Sequence, residues 1–72
     1  NEAFLINNIY MEQSKLHQDG YKYAVGEQDG DLRQLVKELN AQLHGRGGGK
    51  PFFAQGSVQA GRAEIEVFFA GR

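Results

Sequence analysis

Seventy-two residues make at most one domain, and a domain of that size buries only about 60% of its unfolded surface. A hydrophobic content of 40% excludes a disordered tail, and the lack of cysteine excludes a disulfide framework or a thiolate zinc site. The net charge of -1 selects no partner when taken whole, and no apolar run reaches the roughly 20 residues that cross a bilayer.

In chain order, Ala3–Ile9 (AFLINNI) is apolar and β-branched and predicts a first strand. The polar stretch Met11–Gly20 closes on a turn signal, Gln18-Asp19-Gly20. Tyr21–Gly26 sets Tyr21, Tyr23 and Val25 against Lys22 and Ala24, the alternation of a second strand. Leu32, Leu35, Val36, Leu39 and Leu43 form one helical stripe, which predicts a helix over 32–44. Asp31 is its expected N-cap, Gln34 completes a capping box, and Gly45 is expected in the left-handed position after the last turn. Phe52–Val58 reads as an extended segment weakened by Gly56, with one of Phe52 and Phe53 in the core and the other free to stack on a base. Ile65, Phe68 and Phe69 predict a short helix over Arg62–Ala70, with Gly61 as N-cap and Glu64 and Glu66 in the first turn. The order β-β-α-β-α gives an α/β fold in which two helices cover a small sheet within a single domain.

Charge is unevenly placed along this order. Residues 1–41 carry net -3 and residues 42–72 net +2; from Gln42 to Ala63 there is no acidic residue, but there are Arg46, Lys50 and Arg62. That asymmetry raises nucleic-acid binding as a function class, against the plain alternative of a solvated basic loop. The segment Asn1–Met11 has no basic n-region and carries Glu2, so no signal peptide is expected, and the absence of cysteine fits the cytosol. A chain that begins at Asn1 is expected to be a piece of a longer protein.

The segment Gly45-Arg46-Gly47-Gly48-Gly49-Lys50-Pro51-Phe52-Phe53-Ala54-Gln55-Gly56-Ser57 carries the strongest signal. Glycines so dense reach unusual backbone angles and let a ligand or another backbone come close. They do not make a nucleotide P-loop: Gly49-Lys50 is followed by Pro51 instead of Ser or Thr, and the segment leaves a helix instead of opening one. Arg46 and Lys50 are the expected phosphate contacts, and Gln55 is expected either to read a base edge or ribose or to brace the glycines.

The same segment resembles the signature of the DHHA1 domain, approximately G-x-G-G-G-[RKS]-P-x-x-[AV]-Q-G. Gly45, Gly47, Gly48, Gly49, Lys50, Pro51, Ala54, Gln55 and Gly56 all match it. The likeness extends to Tyr21–Val25, to the helix leading into the glycines and to Ala63–Phe69. It covers roughly Tyr21 to Phe69. DHHA1 domains lie near the C-terminus of alanyl-tRNA synthetases, long-form alanyl-tRNA editing proteins and DHH phosphoesterases. The resemblance implies an accessory domain that contacts tRNA, specifically alanine tRNA, in a cytosolic parent enzyme. The nucleic-acid-binding residues implied are Gly45 through Pro51 with Gln55, Gly56 and Ser57. Lys50-Pro51 stands where the phosphoesterases carry histidine after G-G-G, which favours the tRNA branch. Phe52-Phe53 leans toward the editing proteins.

Catalysis is not expected of this chain. His17 and His44 fall in separate elements, and the H-x-x-x-H and C-x-x-x-H set of an editing site is absent, so no cofactor is expected here and a zinc would belong to another domain of the parent. Three hypotheses stand: a tRNA-binding module of an editing hydrolase or synthetase, the substrate-binding cap of a phosphoesterase, or a structural, dimerising domain. Any sheet face left exposed would be covered by parent residues or by a second copy in a homodimer.

Overall fold

The computed structural model describes residues 2–14 and 20–71. The α/β architecture is as the sequence predicts, but the sheet has five strands instead of three. In chain order these are β1 (Ala3–Ile6), β2 (Ile9–Gln13), β3 (Tyr21–Gly26), β4 (Arg46–Lys50) and β5 (Phe53–Val58). Helix α1 (Arg33–Gln42) lies between β3 and β4, and α2 (Arg62–Ala70) closes the chain. The sheet order is β1-β2-β3-β5-β4 and every pairing is antiparallel. β3 and β4 therefore run the same way with β5 between them, the two ends of a crossover through α1.

The two additional strands have separate causes. The expected first strand is broken at Asn7-Asn8, where both residues take left-handed angles (φ 48 and 65). Ile6 then pairs with Ile9 across a two-residue loop, the geometry of a type I′ hairpin, in which asparagine is tolerated almost as well as glycine. The second addition is the glycine segment itself. It is not a loop but strand β4, an edge strand all of whose residues are exposed. The predicted turn Gln18-Asp19 lies outside the described residues, as does His17.

Alternation divides the sheet cleanly. Ile9 and Met11 of β2, Tyr21, Tyr23 and Val25 of β3, and Ala54 and Val58 of β5 face the helices and are buried. Leu32, Val36, Leu39 and Leu43 pack down on them from the α1 side, and Ile65 and Phe69 from α2. Burying side chains of this size contributes about 1.5–3 kcal/mol each, which is what fixes the two helices to one face only. Phe52 and Phe53 depart from expectation: neither enters the core, and they are 56% and 45% exposed. Phe52 occupies the β4–β5 turn, and Phe53 has the register of the opposite, open face.

Helix ends also differ from the sequence reading. Leu32, not Asp31, occupies the N-cap position, and no side chain caps it. Asp31 acts one residue earlier, accepting the Arg33 backbone N–H at 3.0 Å and pairing with its guanidinium at 2.6 Å, which holds the carboxyl down at about 2. At the other end His44, with φ 52, takes the left-handed position expected of Gly45. Gly45 N–H then donates to Asn40 C=O at 2.8 Å, the longer bond of a Schellman motif shifted by one residue. Gly61 is in extended conformation at the α2 N-cap, as expected, with Glu64 in the first turn.

A polar clasp joins β1 to α2. The Tyr21 hydroxyl donates to the Glu2 carboxylate, and Arg62 grips the same carboxylate at 2.5 Å and Glu66 at 3.2 Å. The Arg62 guanidinium lies 4.3 Å from the ring centre of Phe4, which meets Tyr21 edge-on at 5.5 Å. Burial first, then the bond to Glu2, pushes the Tyr21 hydroxyl up to about 12. The bonds from Tyr21 and then Arg62 hold Glu2 below its ordinary 4.5. A raised acid stabilises the fold fully below its unfolded value and loses that contribution as pH rises through the folded one; a lowered carboxylate does the reverse. The clasp is thus complete between the ordinary carboxylate and tyrosine ranges. Tyrosinate absorbance should show one residue ionising near 12. Tyr21→Phe should remove that step and the part of the alkaline stability loss that goes with it.

Candidate nucleic-acid interface

β4 is a strand with almost no side chains, so its neighbours decide what it presents. Its register pairs Arg46 with Ser57, Gly47 with Gly56, Gly48 with Gln55, Gly49 with Ala54 and Lys50 with Phe53. Ala54 faces the helices, which places Gly47, Gly49 and Gly56 on that face and Arg46, Gly48, Lys50, Gln55 and Ser57 on the open one.

The helix-side glycines have a packing reason. The buried Tyr23 ring runs beneath β5 toward β4, and a Cβ at either Gly47 or Gly56 would lie 2.7 Å from its hydroxyl. That hydroxyl donates to Asn40 Oδ1 at 3.1 Å, and Asn40 Nδ2 donates to the Gly47 carbonyl at 3.3 Å. Burial raises the Tyr23 hydroxyl above its ordinary value, so it stays a donor through the physiological range. The Gly47 carbonyl thus faces α1, away from β5. In an antiparallel ladder this makes Gly47–Gly56 a non-hydrogen-bonded pair, and by alternation the backbone groups of Gly49 face the same outer edge. Gly48 is different: a Cβ there would meet nothing within 4 Å.

Pro51 and Phe52 turn the chain between β4 and β5. Proline in the first corner position and a negative φ at Phe52 fit a type I turn. The turn carbonyls are occupied, Pro51 C=O by Leu32 N–H at 2.8 Å and Phe52 C=O by Glu27 N–H at 2.9 Å. Lys50 Nζ sits 5.8 Å from the Phe52 ring centre. Gly45, half-buried, links α1 to β4.

The cations sort into two groups. Arg62, which the sequence places in the basic stretch, belongs to the clasp with Glu2 and Glu66. Arg46 and Lys50, at the two ends of β4, are exposed and enter no ion pair with a described residue. Between α1 and β4 runs a groove of about 240 Å³, bordered by Arg33, Lys37 and Lys50 and floored by Gly47–Gly49. A larger, shallow depression of about 500 Å³ lies on the open face, where Tyr10, Lys22, Arg46, Gln55 and Ser57 meet. Among the described residues no cluster of three His, Asp or Glu side chains could hold a metal ion.

The predicted site residues are therefore contiguous but not equivalent. Arg46, Gln55 and Ser57 share one side of the sheet, Lys50 and Pro51 mark the hairpin tip, and Gly47 and Gly56 serve packing. The sequence reading missed Tyr10, Lys22 and Asn40. For Tyr10 the signal existed: once the chain is broken at Asn7-Asn8, Ile9–Gln13 alternates buried and exposed residues.

The chain matches the DHHA1 domain over residues 11–69. It belongs to the DHHA1 domain family. Alanine–tRNA ligase of Acholeplasma laidlawii (strain PG-8A) is 40% identical to it over 57 residues. That alignment takes in 79% of this chain and 7% of the ligase, so the DHHA1 domain here spans a small part of its relative. No solved structure gives a match. No helix among the described residues is long and apolar enough to cross a membrane.

Proposed function

We propose that this DHHA1 domain is a tRNA-contacting accessory domain of an alanyl-tRNA synthetase-like or alanyl-tRNA editing protein, acting on alanine tRNA in the cytosol. The observation that carries the reading is the placement of Arg46 and Lys50. They stand exposed, in no ion pair with a described residue, at the two ends of a strand whose intervening residues are all glycine, so a phosphodiester backbone can lie along β4 without steric obstruction. Gly48 presents bare backbone between them, and Gln55 and Ser57 flank the track. The ligase relative supports the choice of tRNA. The bonds broken and made by the parent enzyme belong to other domains; this one positions the substrate.

The test is a titration of the chain with an alanine tRNA transcript at several salt concentrations. Binding should weaken steeply with salt, and Arg46→Ala with Lys50→Ala should lower the slope of log K against log salt by about 2, one unit per lost phosphate contact. The loss should be uniform across tRNA sequences, since such contacts position and do not specify. No binding even at low salt would end the reading as a property of this chain. The cap of a phosphoesterase is the second reading, favoured by the α1–β4 groove and its three cations; saturable binding of a nucleoside monophosphate there, lost on Lys37→Ala, would support it over the first.

A further inference from the structure

We infer that the open face of the sheet is a platform for an unstacked nucleobase, with Tyr10 as its stacking side chain and Gln55, Ser57 and Glu12 at the base edge. This rests on the nucleic-acid reading above and adds to it a contact with bases, on the sheet face beside the β4 backbone track, with Arg46 shared between the two.

The register builds the platform row by row. Across the open face run Leu5, Tyr10, Ala24, Gln55 and Gly48, and beside them Glu12, Lys22, Ser57 and Arg46. Ala24 is the low point: its small side chain, between Tyr10 on β2 and Gln55 on β5, leaves the depression of about 500 Å³, within the range of small-ligand sites. Tyr10 is 44% exposed, held by strand pairing on both sides, and so offers a ring face at little further loss of freedom. Gln55 and Ser57 can donate and accept, and Glu12 accepts only, which suits an exocyclic amino group.

Charge decides between a base and an apolar protein surface. The row grades from apolar at Leu5 to bare backbone at Gly48, and the cations Lys22 and Arg46 outnumber the lone carboxylate, Glu12, among the described residues that line the depression. A flat ring with a polar edge, attached to a phosphate, matches that sequence of surfaces in order: ring over Ala24 against Tyr10, edge at Gln55 and Ser57, phosphate at Arg46. Phe53, 45% exposed one register step along, is placed to receive a neighbouring base.

Three probes test this with the same chain: a single-stranded RNA hexamer, its abasic counterpart with the same phosphates, and a blunt RNA duplex. Base stacking predicts that the hexamer binds about 5- to 150-fold more tightly than the abasic strand. Tyr10→Ala should abolish that advantage and Tyr10→Phe should keep it, while Arg46→Ala with Lys50→Ala weakens hexamer and abasic strand alike. The exposed position of Tyr10 makes misfolding an avoidable confusion, and unchanged melting of both Tyr10 variants verifies it. Equal binding of hexamer and abasic strand, an advantage that survives Tyr10→Ala, or tighter binding of the duplex than of the hexamer overturns the platform. If that happens while tRNA still binds with the expected salt slope, the proposed function stands alone; if tRNA fails to bind too, both fall.

Discussion

Gly47→Ala is expected to lower the melting temperature by about 8 °C or more, whereas Gly48→Ala, one residue along, is expected to leave it unchanged. The contrast follows from what each new methyl would meet. At Gly47 the backbone holds φ at +148, and a Cβ would lie 2.5 Å from both Gln55 C=O and the Gly56 Cα and 2.7 Å from the Tyr23 hydroxyl. Two of those three neighbours are backbone of a paired strand and cannot step aside. Strained angles cost about 1–3 kcal/mol and overpacking about as much again. A domain of this size has roughly 4–11 kcal/mol in total, and each kcal/mol is about 4–8 °C. At Gly48 a methyl enters open space, and the change should stay within about 0.5 kcal/mol. Thermal unfolding followed by circular dichroism decides the matter. Equal effects at the two positions would mean that the glycines are needed as a flexible run, not one by one.

Leu39→Ala should be the costliest simple truncation in α1, at about 3 kcal/mol within the usual 2–5 kcal/mol span for buried leucine. Leu39 is 1% exposed, and it directly precedes Asn40, whose side chain ties Tyr23 to Gly47. A cavity at 39 therefore loosens the seat of a residue that ties the body of α1 to β4. Chemical denaturation of Leu39→Ala beside Val67→Ala, a residue 72% exposed on α2, gives the comparison; the second should change stability by less than about 0.5 kcal/mol. If the two variants were equally stable, α1 would not be packed on the sheet as described.

Much of this fold was legible in the sequence because the helices announce themselves. The leucine stripe predicted 32–44 against an observed Arg33–Gln42, and Tyr21–Gly26 and Arg62–Ala70 were bounded as found. What escaped reading was turn chemistry and pairing. Asn7-Asn8 looks like part of a strand until both residues are seen at positive φ, an option open to asparagine and not signalled by composition. The glycine strand escaped because nothing in Arg46–Lys50 favours a strand on its own. It is extended only because β5 pairs along its whole length. The basic residues Arg46 and Lys50 were visible as charges, but that Arg62 is spent on the clasp and Tyr10 stands on the same face as Arg46 depends on register, which a single sequence does not state.

The bonds around α1 have a dynamic meaning. Leu32 N–H holds the hairpin tip at Pro51, Asn40 holds the strand at Gly47, and Gln59 N–H reaches back to Leu43 C=O at 3.1 Å beyond the hairpin's other end. A helix moored to a hairpin at its start, its body and its end cannot swing apart from it. The segment with the highest glycine content thus belongs to the same cooperative unit as the most regular helix, and those of its amides that face β5 should open with α1 as one event and not fray separately. Glycine here is the means by which a strand is made thin, not loose.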